Sequence, residues 1–360
     1  MARLRPAFLG LLAVLLAGVA WRADETSRRL RAERDRIGGE PGAAAVSRPS
    51  ILASYVTVGL AGFRGIVAEA LWLRAAWLQD RGRYLELVQL AEWICALDPK
   101  SADAWTFQAW NLAYNVSSVL PRARDRWRWV EHGVSLLRDR AIPMNPDDPR
   151  LYRELGWLFQ NKIGSYDLDR AHATYKLSLL AQVAPFLDPD GSAPAAGSAQ
   201  ETGLRDTLRL DAASMRTLEE RYGPIDWRIP ESHALYWATK ALALAPARSF
   251  EEQAALRMIH QSLVALVGRG SFCGDLSKGR WEARANFALI PGTCAAFEKE
   301  IAGRPASGNQ TAYAAFLLDA ARHLKPVNEN AARLYYSRIQ SLDLPDLPIP
   351  PFESLGRDEP

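Results

Sequence analysis

The sequence predicts an all-α protein, an α-solenoid of stacked helix hairpins that follows a single N-terminal transmembrane or signal-anchor helix. Three observations carry this prediction. Helical patterns recur between breaks made by Pro, Gly and Asp-Pro, as in the apolar stripe Leu90, Ala91, Ile94 and Cys95 before Asp98-Pro99. Almost no stretch alternates with period two for long enough to make a strand. An uncharged run rich in Leu and Ala, Pro6 to Trp21, opens the chain behind Arg3 and Arg5. With 360 residues, 48% of them hydrophobic and 24% charged, the chain can bury a substantial core, which excludes a disordered tail and a polytopic membrane protein.

The N-terminal run has no polar face, so it does not suit an amphipathic core helix. As a helix it reaches roughly 24 Å against a hydrocarbon layer of roughly 30 Å, the length of a signal peptide or short anchor. Gly18 and Ala20 form a small-x-small pattern, but Trp21 would be a poor new first residue, so an uncleaved single-pass anchor is expected. Its extreme N-terminal position argues for an inner-membrane protein with the helical domain on the extracytoplasmic (periplasmic) side. Arg22, Arg28, Arg29, Arg31, Arg34 and Arg36 beyond the run argue for the cytoplasmic orientation. Residues 1–22 are thus the anchor, and 23–50 a charged helix and a linker built on "GGEPGAAAVSRPS".

The helical body divides into repeats over 51–186 and 204–342, separated by a low-complexity insertion at 187–203. A Pro-rich tail at 343–360 has prolines too close together for a helix. Ile51 to Phe63, thirteen uncharged residues, are too few to span a bilayer and are read as a helix capping the open end, or as one resting in the membrane interface.

Two segments give the repeat a recognisable form. "GRYLELVQLAEWICALDPK", Gly82 to Lys100, is closed by Asp98-Pro99, and "PRLYRELGWLF", Pro149 to Phe159, spaces Tyr152, Leu155, Gly156 and Phe159 as aromatic, Leu, Gly and aromatic. Trp105 with Ala109, Ala171 with Tyr175, Ala234 with Ala241, Leu242 and Leu244, and Tyr313 to Tyr336 extend the pattern. These residues resemble the tetratricopeptide repeat, a 34-residue helix-turn-helix unit, over most of residues 64 to 342. The resemblance implies a membrane-tethered scaffold for protein-protein interaction with TPR-like hairpins, a protein or peptide partner, no cofactor and no catalysis. From Trp105 to Pro146 the chain exceeds one repeat, which requires an insertion or elongated helices around "SSVLPRARDRWRW".

In that family the inner face of each first helix lines a groove. Carried onto this sequence, the register places Trp72, Thr106, Trp110, Tyr114, Arg150, Arg153, Trp157 and Asn161 there. Eight of the twelve tryptophans fall between Trp72 and Trp157, and most are expected in the core. Aromatic and arginine side chains on one face are what protein-binding hot spots use. Tryptophan-lined grooves also stack on sugar rings, so a binder of envelope glycan or peptidoglycan strands is the alternative. The chaperone-tail clamp needs Lys and Asn where this chain has Trp72, Ala76, Thr106 and Trp110, so that subgroup is not implied.

Chemistry-bearing motifs are missing from the sequence. His132, His172, His233, His260 and His323 are scattered, with no HExxH, and no GxSxG, P-loop or GxGxxG occurs, so no metal site and no enzyme is expected. Asp188-Pro189-Asp190-Gly191 lacks the downstream acidic ligand of a calcium loop and reads as a turn. A formal charge of +3 is too mild to suggest nucleic acid, and Arg122, Arg124, Arg126 and Arg128 do not form one stripe. Cys95 reads as a core thiol, and Cys273 and Cys294, in a Gly-rich region, as a disulfide if the domain is exported.

Overall fold

The computed structural model describes residues 67–303, 307–342, 344 and 347–355. The anchor, the charged helix with its linker, and Ile51–Phe63 lie outside the described residues. Among the described residues the fold is all-α, with thirteen helices and one two-stranded hairpin, and no helix there is long and apolar enough to cross a membrane. The chain divides into two compact units, Met1–Asp98 and Pro99–Pro360.

In the first unit α1 (67–80) and α2 (Tyr84–Leu97) are joined by Arg81-Gly82-Arg83. Ala75 and Leu78 from α1 and Leu87, Leu90, Ala91, Ile94 and Cys95 from α2 are buried, while Trp77 stays exposed under the Arg81 guanidinium, 4.0 Å from its ring. Pro99 cannot donate a backbone bond, so α2 ends at Leu97 and the chain turns.

The second unit begins with three long helices that share one irregularity. Residues 102–119 form α3, residues 123–144 α4 and residues 149–163 α5. Each is regular at first and then passes through a wider stretch: Asn111–Val116, Leu136–Ala141 and Leu158–Ile163. At their ends the amides of Ser117, Ile142 and Gly164 donate to carbonyls five residues back, those of Leu112, Leu137 and Phe159. Such a turn accommodates one extra residue in an otherwise α-helical path. The helices start on side-chain caps where the sequence supplies them. Ser101 Oγ accepts from the Ala104 amide, and Asp148 from the Arg150 amide just before Pro149.

Helix approach in this region depends on small residues. A methyl at Gly133 of α4 would meet the Ala109 carbonyl of α3 at 2.9 Å and the Ala113 methyl at 3.2 Å. At Gly156 of α5 it would meet Met258 Sδ at 2.8 Å and the Ala234 carbonyl at 3.3 Å. Gly156 is therefore where α5 touches both α9 (Pro230–Leu244) and α10 (Phe250–Arg269), which pack against each other. Trp105, Leu137, Leu151, Leu155, Leu158, Ile163 and Trp227 are the fully buried centre.

The link from α5 to α6 (His172–Val183) is held by buried charge. Asp169 accepts from Lys162 Nζ at 3.0 Å, Tyr175 OH at 2.6 Å, Arg126 Nη1 at 3.0 Å and the Ala171 amide at 2.9 Å. Burial alone would raise this carboxyl; the bonds from Tyr175, Ala171 and Lys162 outweigh it and hold the pKa down to about 2. Lys176, fully buried, donates to the carbonyls of Ile163 and Ser165 beyond the end of α5, and burial lowers its pKa to about 8.

Residues 187–203 differ from the expected low-complexity spacer. Gly191, Ala193 and Pro194 are buried, and Ser198 caps α7 (Ala199–Leu208). The reason is Arg228, whose guanidinium pairs with Asp226 and donates to the carbonyls of Pro189 and Asp190, gathering the 188–191 turn onto the helices. After α8 (Ala212–Tyr222), α9 and α10, a short hairpin of β1 (Ser271–Phe272) and β2 (Ala283–Arg284) leads into α11 (Ile290–Gly303), α12 (Ser307–Leu324) and α13 (Glu329–Gln340). The described part of the Pro-rich tail is extended but packed. Lys325 Nζ donates to the carbonyls of Phe352, Glu353 and Leu355, Tyr336 OH to that of Pro350, and Phe352 and Leu355 are buried.

Candidate functional site

Five of the eight residues assigned to the groove come together where α3 crosses α5. The Trp110 and Tyr114 rings lie 5.0 Å apart, tilted by 38°. Trp110 Nε1 donates to Glu154 Oε2 at 2.9 Å, Glu154 Oε1 pairs with Arg153 at 2.6 Å, and Tyr114 OH donates to Asn161 Oδ1 at 2.9 Å. Burial and the Glu154 charge push the Tyr114 phenol up, with Trp157 beside it offsetting part of the rise. Tyr114 and Asn161 both sit in the wide stretches of their helices, which turn them toward each other. Trp110 remains 40% exposed, so the face is accessible at that ring. Glu154 is the member that the sequence reading missed, although it lies one position from Arg153 on the same helix.

The other three residues are Arg150, Thr106 and Trp72. Arg150 is drawn to the start of α5 by Asp148 and Asp103, where it lines an open cleft of about 530 Å³ with Lys100, Asp147 and Glu251. Thr106 is half-buried on α3, and Trp72 is half-buried in the first unit. Cys273 and Cys294 are not joined by a disulfide: both are free, with Cys273 beside the hairpin and Cys294 buried in α11 against Tyr313. Burial raises the Cys294 thiol, so it is held as a neutral core group. Trp105, Trp127, Trp227 and Trp237 are core residues.

A second concave feature is one the sequence did not indicate. A trough of about 840 Å³ runs between α10 and α12 with α11 beneath. Gln253, Arg257, Gln261, Val264, Ala265 and Gly268 form one wall, at the spacing that puts them on a single face of α10. Gly308, Asn309 and Ala312 form the other. On the floor, His260 stacks on Phe297 at 4.3 Å and pairs through Nδ1 with Glu300 Oε2 at 2.9 Å, while Asn309 Nδ2 donates to Glu300 Oε1 at 3.1 Å. Both carboxylate oxygens are therefore occupied internally. On the opposite side His260 and Glu300 also border a smaller cavity of about 240 Å³, so the pair stands as a partition between two hollows.

Chemically the trough offers the Phe297 ring, a fixed imidazole–carboxylate pair and two arginines. Arg269 is tied to Glu231 at 3.1 Å, whereas Arg257 makes no ion pair among the described residues. No Ser, Thr or Cys lines the trough. Among the described residues no group of three His, Cys, Asp or Glu side chains is placed to hold a metal ion. No local motif pointed to this site, because His260, Glu300 and Asn309 are separated by 40 and 9 positions and meet only through helix packing. Compared with known protein families, curated proteins and solved structures, the chain matches none.

Proposed function

We propose that this chain is a non-catalytic, TPR-like helical scaffold, tethered to the inner membrane by its N-terminal segment, that holds a partner protein. The observation that carries this reading is the trough between α10 and α12: a concave face walled by helix faces, with the Phe297 ring beside the His260–Glu300 pair at its floor. Interfaces of this kind gain affinity from buried apolar area set within a polar rim. The tether rests on the uncharged, Leu- and Ala-rich run Pro6 to Trp21 behind Arg3 and Arg5.

Photo-crosslinking in cells tests the scaffold reading directly. A photoreactive residue at Gln261, exposed on the trough wall, is expected to trap one discrete protein, while the same probe at exposed Arg205 on α7 traps none. Equal, diffuse labelling from both positions would overturn the assignment. A fusion reporter active only outside the cytoplasm, placed after residue 342, checks the orientation.

The Trp110 face supports a second reading, the envelope-glycan binder. An exposed indole beside Tyr114, with Glu154 and Asn161 as hydrogen-bonding neighbours, has the chemistry to stack on a sugar ring. Retention on peptidoglycan that is lost in Trp110→Ala, with the Gln261 crosslink unchanged, would favour it.

A further inference from the structure

We infer that the occupant of the trough is an amphipathic helix of a partner protein, with an apolar stripe laid on Val264, Ala265, Phe297 and Ala312 and a carboxylate presented to Arg257. This rests on the scaffold reading above and adds the chemistry of the partner.

The shape selects a helix. From Gln253 to Gly268 the α10 wall extends about 22 Å, or four turns of helix. Its lips are small: a methyl group added at Gly268 or at Gly308 would meet nothing within 4 Å, and Ala265 and Ala312 lie between them and the floor. Small residues on facing walls let a third helix descend to the Phe297 floor. An extended segment fits the chemistry poorly. The walls are α-helices whose interior amides and carbonyls are bonded within the helix, and Glu300, the floor carboxylate, has both oxygens occupied. An extended backbone on this floor would bury amides and carbonyls without partners, whereas a helix brings its own backbone bonds with it.

Charge sets the polarity of that helix. Arg269 at one end already has Glu231 as its counterion, and Glu300 is shielded by His260 and Asn309. Arg257 lies exposed between Gln253 and Gln261 on the same face and has no ion pair among the described residues. Arg257 is thus the arginine of the trough without a counterion among the described residues, and a guanidinium is the group best suited to grip a carboxylate with paired hydrogen bonds. An acidic polar face is complementary, and a basic one is repelled.

The test uses the full chain in detergent and three fluorescein-labelled, helix-stapled peptides of about four turns. One carries a Leu stripe and a Glu-rich polar face, one the same stripe with Lys in place of Glu, and one the acidic composition with the stripe scrambled. Fluorescence anisotropy is expected to show binding of the acidic amphipathic peptide alone. Arg257→Glu, at an exposed position, should weaken that peptide at least tenfold and make the Lys-faced peptide the better ligand. Ala312→Trp, also exposed, should block both by filling the trough. Equal binding of the scrambled peptide, or an acidic-peptide affinity untouched by both variants, overturns the inference. So does a concentration-dependent dimer in sedimentation that Ala312→Trp abolishes, because the occupant would then be a second copy. If no peptide binds while the Gln261 crosslink still traps its protein, the helix inference falls and the scaffold reading stands. Loss of both removes both.

Discussion

Replacing Asp169 by Asn isolates the buried charge network that joins α5 to α6. Asp169 and Lys162 are each less than a tenth exposed, so the pair is little screened by solvent. A carboxyl held at about 2 instead of 3.8 favours its ionised form in the folded state by roughly 2 to 3 kcal/mol. Asparagine keeps the shape but leaves the Lys162 ammonium buried without its counterion, which costs about 3 to 5 kcal/mol when a buried pair is broken on one side. The loss is therefore expected near 3 kcal/mol. With a urea slope of about 3 kcal/mol per molar, the unfolding midpoint drops by roughly 1 M. Lys162→Met combined with Asp169→Asn should recover at least half of that loss, since no charge is then stranded. The pH dependence has a fixed sign: the folded pKa lies below the unfolded one, so the stabilisation is complete above about pH 4 and is lost as pH falls toward 2. Asp169→Asn should flatten the acid limb in that window. A midpoint within about 0.2 M of the native chain, or an unchanged acid limb, would refute the reasoning.

Three further outcomes follow from the packing. His233, fully buried with Nε2 donating to the Trp227 carbonyl, is held by burial down to about 4, so the unfolded chain binds its proton first and stability should fall from pH 6.5 toward 4. His233→Gln should reduce that slope in pH-dependent urea melts. Gly133→Val places carbon against the Ala109 carbonyl and should cost about 2 to 3 kcal/mol, read as a fall of several degrees in Tm by calorimetry. Lys325→Met removes three hydrogen bonds from residues 352–355 and should speed proteolytic trimming of the tail, while far-UV dichroism stays within a few per cent of the native signal.

What was legible in the sequence was local. Asp98-Pro99 ends α2 where the chain's own chemistry requires it, and the segment that opens at Pro149 begins a helix, α5. Gly156, part of the motif that suggested paired helices, is a point of close approach between three of them. The folded 187–198 segment was hidden because its organiser, Arg228, lies 38 positions from Asp190. The trough was hidden for the same reason, since its lining is assembled from α10, α11 and α12 and no short motif links them. The aromatic face was half visible: the register implied by the tetratricopeptide resemblance named Trp110, Tyr114, Arg153, Trp157 and Asn161, but it could not show that Asp148 and Asp103 would hold Arg150.

The wide stretches in α3, α4 and α5 bear on how such a chain could change over time. Each holds one residue more than a regular helix would, and one residue corresponds to about 100° of rotation about the helix axis. Everything beyond that point, Tyr114 and Asn161 included, is out of phase with the turns before it. Deleting a single codon in any of the three would restore a uniform helix and swing its far half to a different neighbour.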